Sequence, residues 1–281
     1  MIIKKINELR EIIKAEKVKG KKVGFVPTMG YLHQGHLSLI KKAKKENDLV
    51  IVSIFVNPIQ FGPNEDLEKY PRDIERDSKL ATEAGCDYIF NPEVLEMFPK
   101  PLKTSVQVEG LTEPLCGRSR PGHFKGVTTI VTKLFNIVAP HKAYFGQKDA
   151  QQAAVLIKMA EDLNFDLEIE VCPIIRESDG LAMSSRNIYL EAEEREQALA
   201  LSKSLELAED MVKSGERDVK KIIQEMELFI GKYPLCEIDY IEILDFKNLE
   251  EIEEISGTIL VALAVKLGKT RLIDNKIMEV K

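Results

Sequence analysis

The chain has 281 residues, 44% hydrophobic and 31% charged, which fits one large or two ordinary folded domains and excludes a disordered segment or a small stapled scaffold. Its 46 acidic residues outnumber 40 Lys and Arg, a net charge of −6, so no general attraction for nucleic acid is expected. Cys86, Cys116, Cys172 and Cys236 lie far apart with no C-x-x-C pair, which predicts buried thiols in a reducing cytoplasm.

The opening MIIKKINELREIIK has the pattern of an amphipathic helix and not of a signal peptide, and no apolar run reaches membrane-spanning length. Strands are then expected at Val23–Pro27, Leu49–Val56, Asp87–Phe90, Ala143–Phe145 and Leu167–Val171, with helices at His36–Glu46, Asp73–Ala84, Val127–Val138 and Ala150–Leu163 between them. Leu49–Val56 (LVIVSIFV) is apolar on both faces, as a central parallel strand should be. Gly126 and Pro140 punctuate one buried helix. Residues 191–231 are rich in Glu, Lys and Leu and predict two helices separated near Ser214–Gly215, followed by strands at Ile238–Leu244, Thr258–Val265 and Thr270–Asn275. The expected fold is α/β: a Rossmann-like doubly wound parallel sheet over residues 1–175, with a smaller α+β domain over 176–281.

Two stretches carry chemistry. In the first, PTMGYLHQGH (27–36), a strand runs into a glycine-containing turn and a helix expected to begin near His36. Unpaired N–H groups and the positive end of the dipole make a helix start a natural phosphate site. His33 and His36, three apart, can both donate to phosphate oxygens as charge builds on the α-phosphorus. Gly30 and Gly35 permit close approach of backbone or nucleotide. A plain structural turn or a metal pair are the alternatives, but no acid or thiol is adjacent as a third ligand. In the second stretch, DGLAMSSRN (179–187), Ser184 and Ser185 offer hydroxyls and Arg186 a fork-shaped cation, a set suited to a triphosphate.

Paired in this order, the two stretches resemble the HIGH and KMSKS elements of the class I aminoacyl-tRNA synthetase and nucleotidyltransferase superfamily, with Ser-Ser-Arg in place of the KMSKS lysine. More narrowly, the chain resembles the pantoate–β-alanine ligase family over nearly its whole length, through PTMGYLHQGH, FVNPIQFGPNEDLEKYPRD (55–73), RPGHFKGVTTIVTKLFNIVAP (120–140), YFGQKDAQQ (144–152) and DGLAMSSRN; residues 191–281 are the least family-like. The resemblance implies ATP and Mg²⁺ as companions of a ligase that is cytoplasmic and homodimeric and binds neither nucleic acid nor membrane. It implies ATP contacts at Met29, Gly30, Tyr31, Leu32, His33, Gln34, Gly35 and His36, at Gly146, Gln147, Lys148 and Asp149, and at Ile175, Met183, Ser184, Ser185 and Arg186. His36, His33, Lys148, Ser184, Ser185 and Arg186 are its implied catalytic set. Pantoate falls to Gln60, Gln152 and Arg120, and β-alanine to Gln60.

Several of these residues also have a reading of their own. Gln60 follows the second strand, where open α/β sheets place ligands, and an amide can hold a carboxylate and a hydroxyl together. Lys148 can bind phosphate, and Asp149 can cap a helix or hold ribose hydroxyls. Arg120 and His123 can neutralise a carboxylate or phosphate, unless they are merely exposed loop residues. Asp73 and Asp77, at helical spacing, can bear on Mg²⁺, but two such acids are more often simply part of a solvated helix, and no dedicated protein metal site is required. His141 is expected to be structural. Met183–Arg186 lies just past the boundary and so must reach the nucleotide from outside the sheet, like a lid.

Three activities remain distinct: an AMP-forming ligase, a nucleotidyltransferase that keeps the nucleotide in its product, and a tRNA-charging enzyme. The last lacks a basic recognition domain, and the run 191–210 is acidic. The second leaves FVNPIQF and Gly146–Gln152 unexplained.

Overall fold

The computed structural model describes residues 1–63 and 65–280; Asn64, inside the stretch 55–73, and Lys281 lie outside the described residues. Six strands form the main sheet: β1 (Ile2–Ile3), β2 (Val23–Thr28), β3 (Leu49–Ile54), β4 (Tyr88–Phe90), β5 (Lys142–Gly146) and β6 (Glu168–Cys172). Their order is β1-β4-β3-β2-β5-β6 and every neighbouring pair is parallel. The helices of this part are α1 (Ile6–Val18), α2 (Gln34–Glu46), α3 (Ile74–Glu83), α4 (Val94–Met97), α5 (Cys116–Ser119), α6 (His123–Val138) and α7 (Ala150–Asp162). Buried side chains form one cluster containing residues of α1, α6 and α7 and another containing residues of α2, so helices cover both faces of the sheet. β3 is buried at all six positions, in keeping with its unbroken apolar run.

The chain order turns back between β2 and β5, and open α/β sheets bind ligands outside the carboxyl ends of strands at such a point. Those two ends are Thr28 and Gly146.

The predicted N-terminal helix needs one correction. Ile2–Ile3 pair with β4 at the sheet edge, and α1 begins only at Ile6. A two-residue edge strand has no alternation to betray it, and the helical spacing of isoleucines continues through it.

The C-terminal part contains α8 (Ala192–Gln197), α9 (Leu199–Lys213) and α10 (Val219–Ile230), then an antiparallel sheet of β7 (Cys236–Asp245), β8 (Gly257–Leu267) and β9 (Thr270–Val280). Three helices thus stand where two were expected, because the chain breaks at Ala198 without glycine or proline. One face of this sheet packs with Leu201, Leu205, Ile222 and Met226 of α9 and α10. From the other face, Leu244, Leu260 and Ala262 meet Leu115 and Ala150 of the first part. All four cysteines are free thiols, three buried and Cys236 half-buried.

Candidate active site

The turn after β2 is built around a buried carboxylate. Asp77 of α3, 1% exposed, accepts the N–H groups of Tyr31 at 2.6 Å and Leu32 at 2.7 Å. Arg76 completes the anchor by donating to the Leu32 carbonyl at 2.9 Å. Gly30 turns at φ +87°, and a Cβ there would come within 3.0 Å of the Asp77 carboxylate. Asp77 is therefore occupied with the loop, and Asp73 caps α3 by accepting from Arg76 N. Asp77 is thus buried and not on a solvated face, and both carboxylates are engaged with backbone N–H groups.

Helix α2 begins two residues earlier than its sequence indicates, because His33 caps it. His33 Nδ1 accepts from Gly35 N at 3.2 Å, and His36 Nδ1 accepts from His33 N at 3.3 Å. Two nitrogens that accept backbone N–H groups carry no proton. Each neutral ring therefore bears its proton on Nε2, as a donor. The ring centroids lie 4.1 Å apart. Burial, with the Lys148 ammonium nearby, holds His33 down to about 4. Burial and the neighbouring His33 hold His36 well below its ordinary value. Gly35 makes its close approach against protein: a Cβ there would stand 2.9 Å from the His33 ring.

Beyond β3, Pro58–Gln60 form one 3-10 turn. Asn57, 1% exposed, donates to Gln60 Oε1 at 2.9 Å and to the Gly126 carbonyl at 3.2 Å, while Gln60 Nε2 points to Met29 Sδ at 3.1 Å. Gly126 lets α6 come this close, since a Cβ there would lie 2.6 Å from Gln60 Cα. Asn57 was not singled out in the sequence, although its place three residues after a buried strand and three before Gln60 was a usable signal.

Arg120 is mostly buried and paired, not an exposed loop residue. Its guanidinium forks onto Glu65 at 2.7 and 2.6 Å, so its charge is already matched. It also donates to His123 Nε2 at 3.0 Å, which leaves Nδ1–H to donate to the Gln60 carbonyl at 2.9 Å. Burial and Arg120 hold His123 down to about 4, so it is a neutral strut for Gln60 rather than a cation. His141 is structural, accepting the Val23 N–H at 2.9 Å.

At the end of β5, Gln147–Asp149 form a short turn into α7. Asp149 makes no side-chain cap bond, and its half-exposed carboxylate lies 3.7 Å from Lys148 Nζ. Across from it, Ser184 Oγ accepts Arg186 N, Ser185 Oγ lies 3.3 Å from Tyr70 Oη, and Arg186 forks onto Asp66 at 3.1 and 3.0 Å.

These segments enclose one inner chamber of about 230 Å³. Met29, His33, Gly35 and His36 meet Gln60, Gln152 and Arg120 there, together with Gly146, Lys148 and Asp149 and with Ile175, Met183, Ser184, Ser185 and Arg186. Val127, Ile130, Val131 and Leu134 of α6 give it an apolar wall. Lys148, Asp149, Gln152, Ser184 and Arg186 also line a cleft of about 1440 Å³ between the two sheets, into which the chamber continues. Gly30, Tyr31, Leu32, Gln34 and Gln147 line neither space. Leu32 is fully buried, Gln34 is exposed, and Tyr31 lies under the Arg76 guanidinium.

Comparison with known proteins places this geometry. The family model described as pantoate-beta-alanine ligase matches residues 1–277. The chain is 60% identical over 279 residues to the pantothenate synthetase of Acetivibrio thermocellus, covering 99% of each, and 56% identical over 280 residues to that of Caldicellulosiruptor saccharolyticus, covering all of each. The crystal structure of pantothenate synthetase from Thermus thermophilus superposes with a TM-score of 0.93 at 43% identity, over 98% of both chains. That of pantoate-beta-alanine ligase from Francisella tularensis, complexed with beta-gamma ATP and beta-alanine, gives 0.81 at 35% identity over 99% of this chain and 97% of the other. The chain is therefore an enzyme of the pantoate-beta-alanine ligase family.

Proposed function

We propose that the enzyme uses ATP to join pantoate to β-alanine by way of a bound pantoyl adenylate, with release of AMP and pyrophosphate. One observation carries this reading. Two neutral imidazoles, each with Nε2–H free to donate, stand at a helix N-terminus in the same chamber as Lys148, Ser184 and Arg186. Neutral donors and cations lining one chamber suit displacement at an α-phosphorus, where charge grows on both the phosphoryl oxygens and the departing pyrophosphate.

A pantoate carboxylate oxygen attacks the α-phosphorus, and the bond from that phosphorus to the bridging oxygen breaks. His33 and His36 stabilise the charge on the phosphoryl oxygens. Lys148, Ser184, Ser185 and Arg186 hold the triphosphate and the pyrophosphate that leaves. Gln60 and Gln152 align the carboxylate and hydroxyl of pantoate against the apolar wall of α6, and orientation supplies much of the acceleration. Arg120 closes the chamber through its pair with Glu65. Met29 and Gly35 border the nucleotide on one side. Gly146, Ile175 and Met183 border it on the other, with the Asp149 carboxylate free for ribose hydroxyls. The amine of β-alanine, held near Gln60, then attacks the acyl carbon and AMP departs. The nucleotide and amine named for the Francisella tularensis structure support this choice of substrates.

Magnesium enters with the triphosphate, whose oxygens and bound waters supply most of its coordination. The segment from residue 176 onward forms the lid side of the cleft. A homodimer in the cytoplasm completes the reading, which at this point rests on likeness to the family. The test is AMP and pyrophosphate formation from ATP across a panel of acids and amines. Both products should appear with pantoate and β-alanine and not with phosphate esters; a dinucleotide product would overturn the reading.

A further inference from the structure

β9 carries two consecutive buried polar residues that the reaction described above does not use. Asp274 and Asn275 are 2% and 4% exposed. Buried polar groups require partners, and here every side-chain partner belongs to a segment of the candidate site. Asn275 Nδ2 donates to the Gln147 and Lys148 carbonyls, both at 2.9 Å, and its Oδ1 accepts from Gln147 Nε2 at 3.3 Å. Asp274 takes the Arg176 guanidinium in a fork at 2.6 and 3.1 Å and also accepts Asn275 N at 2.8 Å. Arg176 in turn donates to the Gly180 carbonyl at 3.1 Å and bridges to Ala182, and Met183 N bonds the Ile175 carbonyl. The fork thus fixes the hairpin that leads into Ser184–Arg186. Successive strand residues point to opposite faces, so one strand can clasp two segments that approach it from different sides.

We propose that Asn275 and Asp274 are positioning residues for adenylyl transfer: together they fix the Lys148 turn and the Ser184–Arg186 segment relative to each other, so that both meet one triphosphate. The inference rests on the adenylate reading above. Two successive carbonyls held by one side-chain amide leave the Lys148 backbone little freedom, and a misplacement of about 1 Å in a reacting group can cost about 100-fold in rate.

The test is a double-mutant cycle on the full chain, measuring turnover, the KM for ATP and thermal unfolding. Asn275→Asp keeps the size of the side chain but has no N–H for the two carbonyls. It should lower turnover by about 10- to 100-fold while unfolding remains cooperative. In a Lys148→Ala background it should have less than about a twofold effect, because it acts through Lys148. Multiplicative losses in the double variant overturn the proposal. An intact Asn275→Asp beside a damaged Lys148→Ala overturns the proposal alone. Undiminished turnover in Lys148→Ala overturns the reading beneath it and the proposal with it. If Asn275→Asp does not fold, Arg176→Lys decides: its side chain is 32% exposed, and the change keeps the cation but loses the fork. A several-fold fall in its turnover supports the clasp, and unchanged turnover overturns it.

Discussion

An imidazole whose Nδ1 accepts a backbone N–H must carry its proton on Nε2, and both His33 and His36 are fixed in that form. A donor of this kind has most to offer when charge develops, not in the ground-state complex. His36→Ala should therefore cut turnover by roughly 100-fold or more, the scale of losing one transition-state donor. ATP affinity, measured by calorimetry, should change little; lost affinity with intact turnover would contradict the role. Asp77 acts one step removed, since its carboxylate holds the Tyr31 and Leu32 N–H groups. Asp77→Ala leaves two N–H groups without that acceptor and should cost about 1–3 kcal/mol of stability, seen in urea unfolding, with a fall in turnover as the turn shifts. Stability unchanged within error would show that the turn holds itself. The histidine pair and Gln60 were legible as residue types at strand ends. Asp77 was not, because a helical acid 46 residues along gives no sign in sequence of which way it faces.

The start of α2 shows what a pattern of residues can conceal. Ser, Thr, Asp and Asn are the usual signals of a helix start, so a histidine cap shifts the apparent beginning to His36. Asp73, a conventional cap, was by contrast placed at the edge of α3 from sequence alone. The Ser184–Arg186 segment was expected to approach from outside the sheet, and in the structure it is tied to residues 66–70 through Arg186–Asp66, Ser185–Tyr70 and Tyr189 Oη donating to the Lys69 carbonyl at 3.0 Å. Asp66 occupies the guanidinium that the proposed reaction assigns to phosphate, so a triphosphate must compete with it. Adding ATP and magnesium should tighten this segment over the chamber and reduce protease cleavage within residues 176–190. Cleavage that proceeds at the same rate would mean a fixed site and no lid.

Across the molecule, five of the six strands of the parallel sheet were legible because short strand-like runs alternate with helical spacing. The joining of the two sheets was not: Asn275 on β9 reaches the Lys148 turn from 127 residues away, and nothing local marks that contact. Protonation also acts on the whole fold. His33 and His123 are held down to about 4 from an ordinary 6.5, so between those values the unfolded chain binds protons that the folded chain refuses. Their contribution to stability is complete above about pH 6.5 and is lost as pH falls toward 4. Urea midpoints should therefore decline between about pH 6.5 and 5, above the ordinary carboxylate range, and a flat profile there would contradict the neutral rings. The most direct measurement of the proposed chemistry is exchange of labelled pyrophosphate into ATP. A carboxylate is a poor electrophile until AMP replaces its oxide as leaving group, so the first half-reaction should run reversibly without the amine. Exchange should appear with pantoate and magnesium in the absence of β-alanine, and not with ATP alone. Exchange that demands β-alanine, or that pantoate does not support at all, would contradict a pantoyl adenylate.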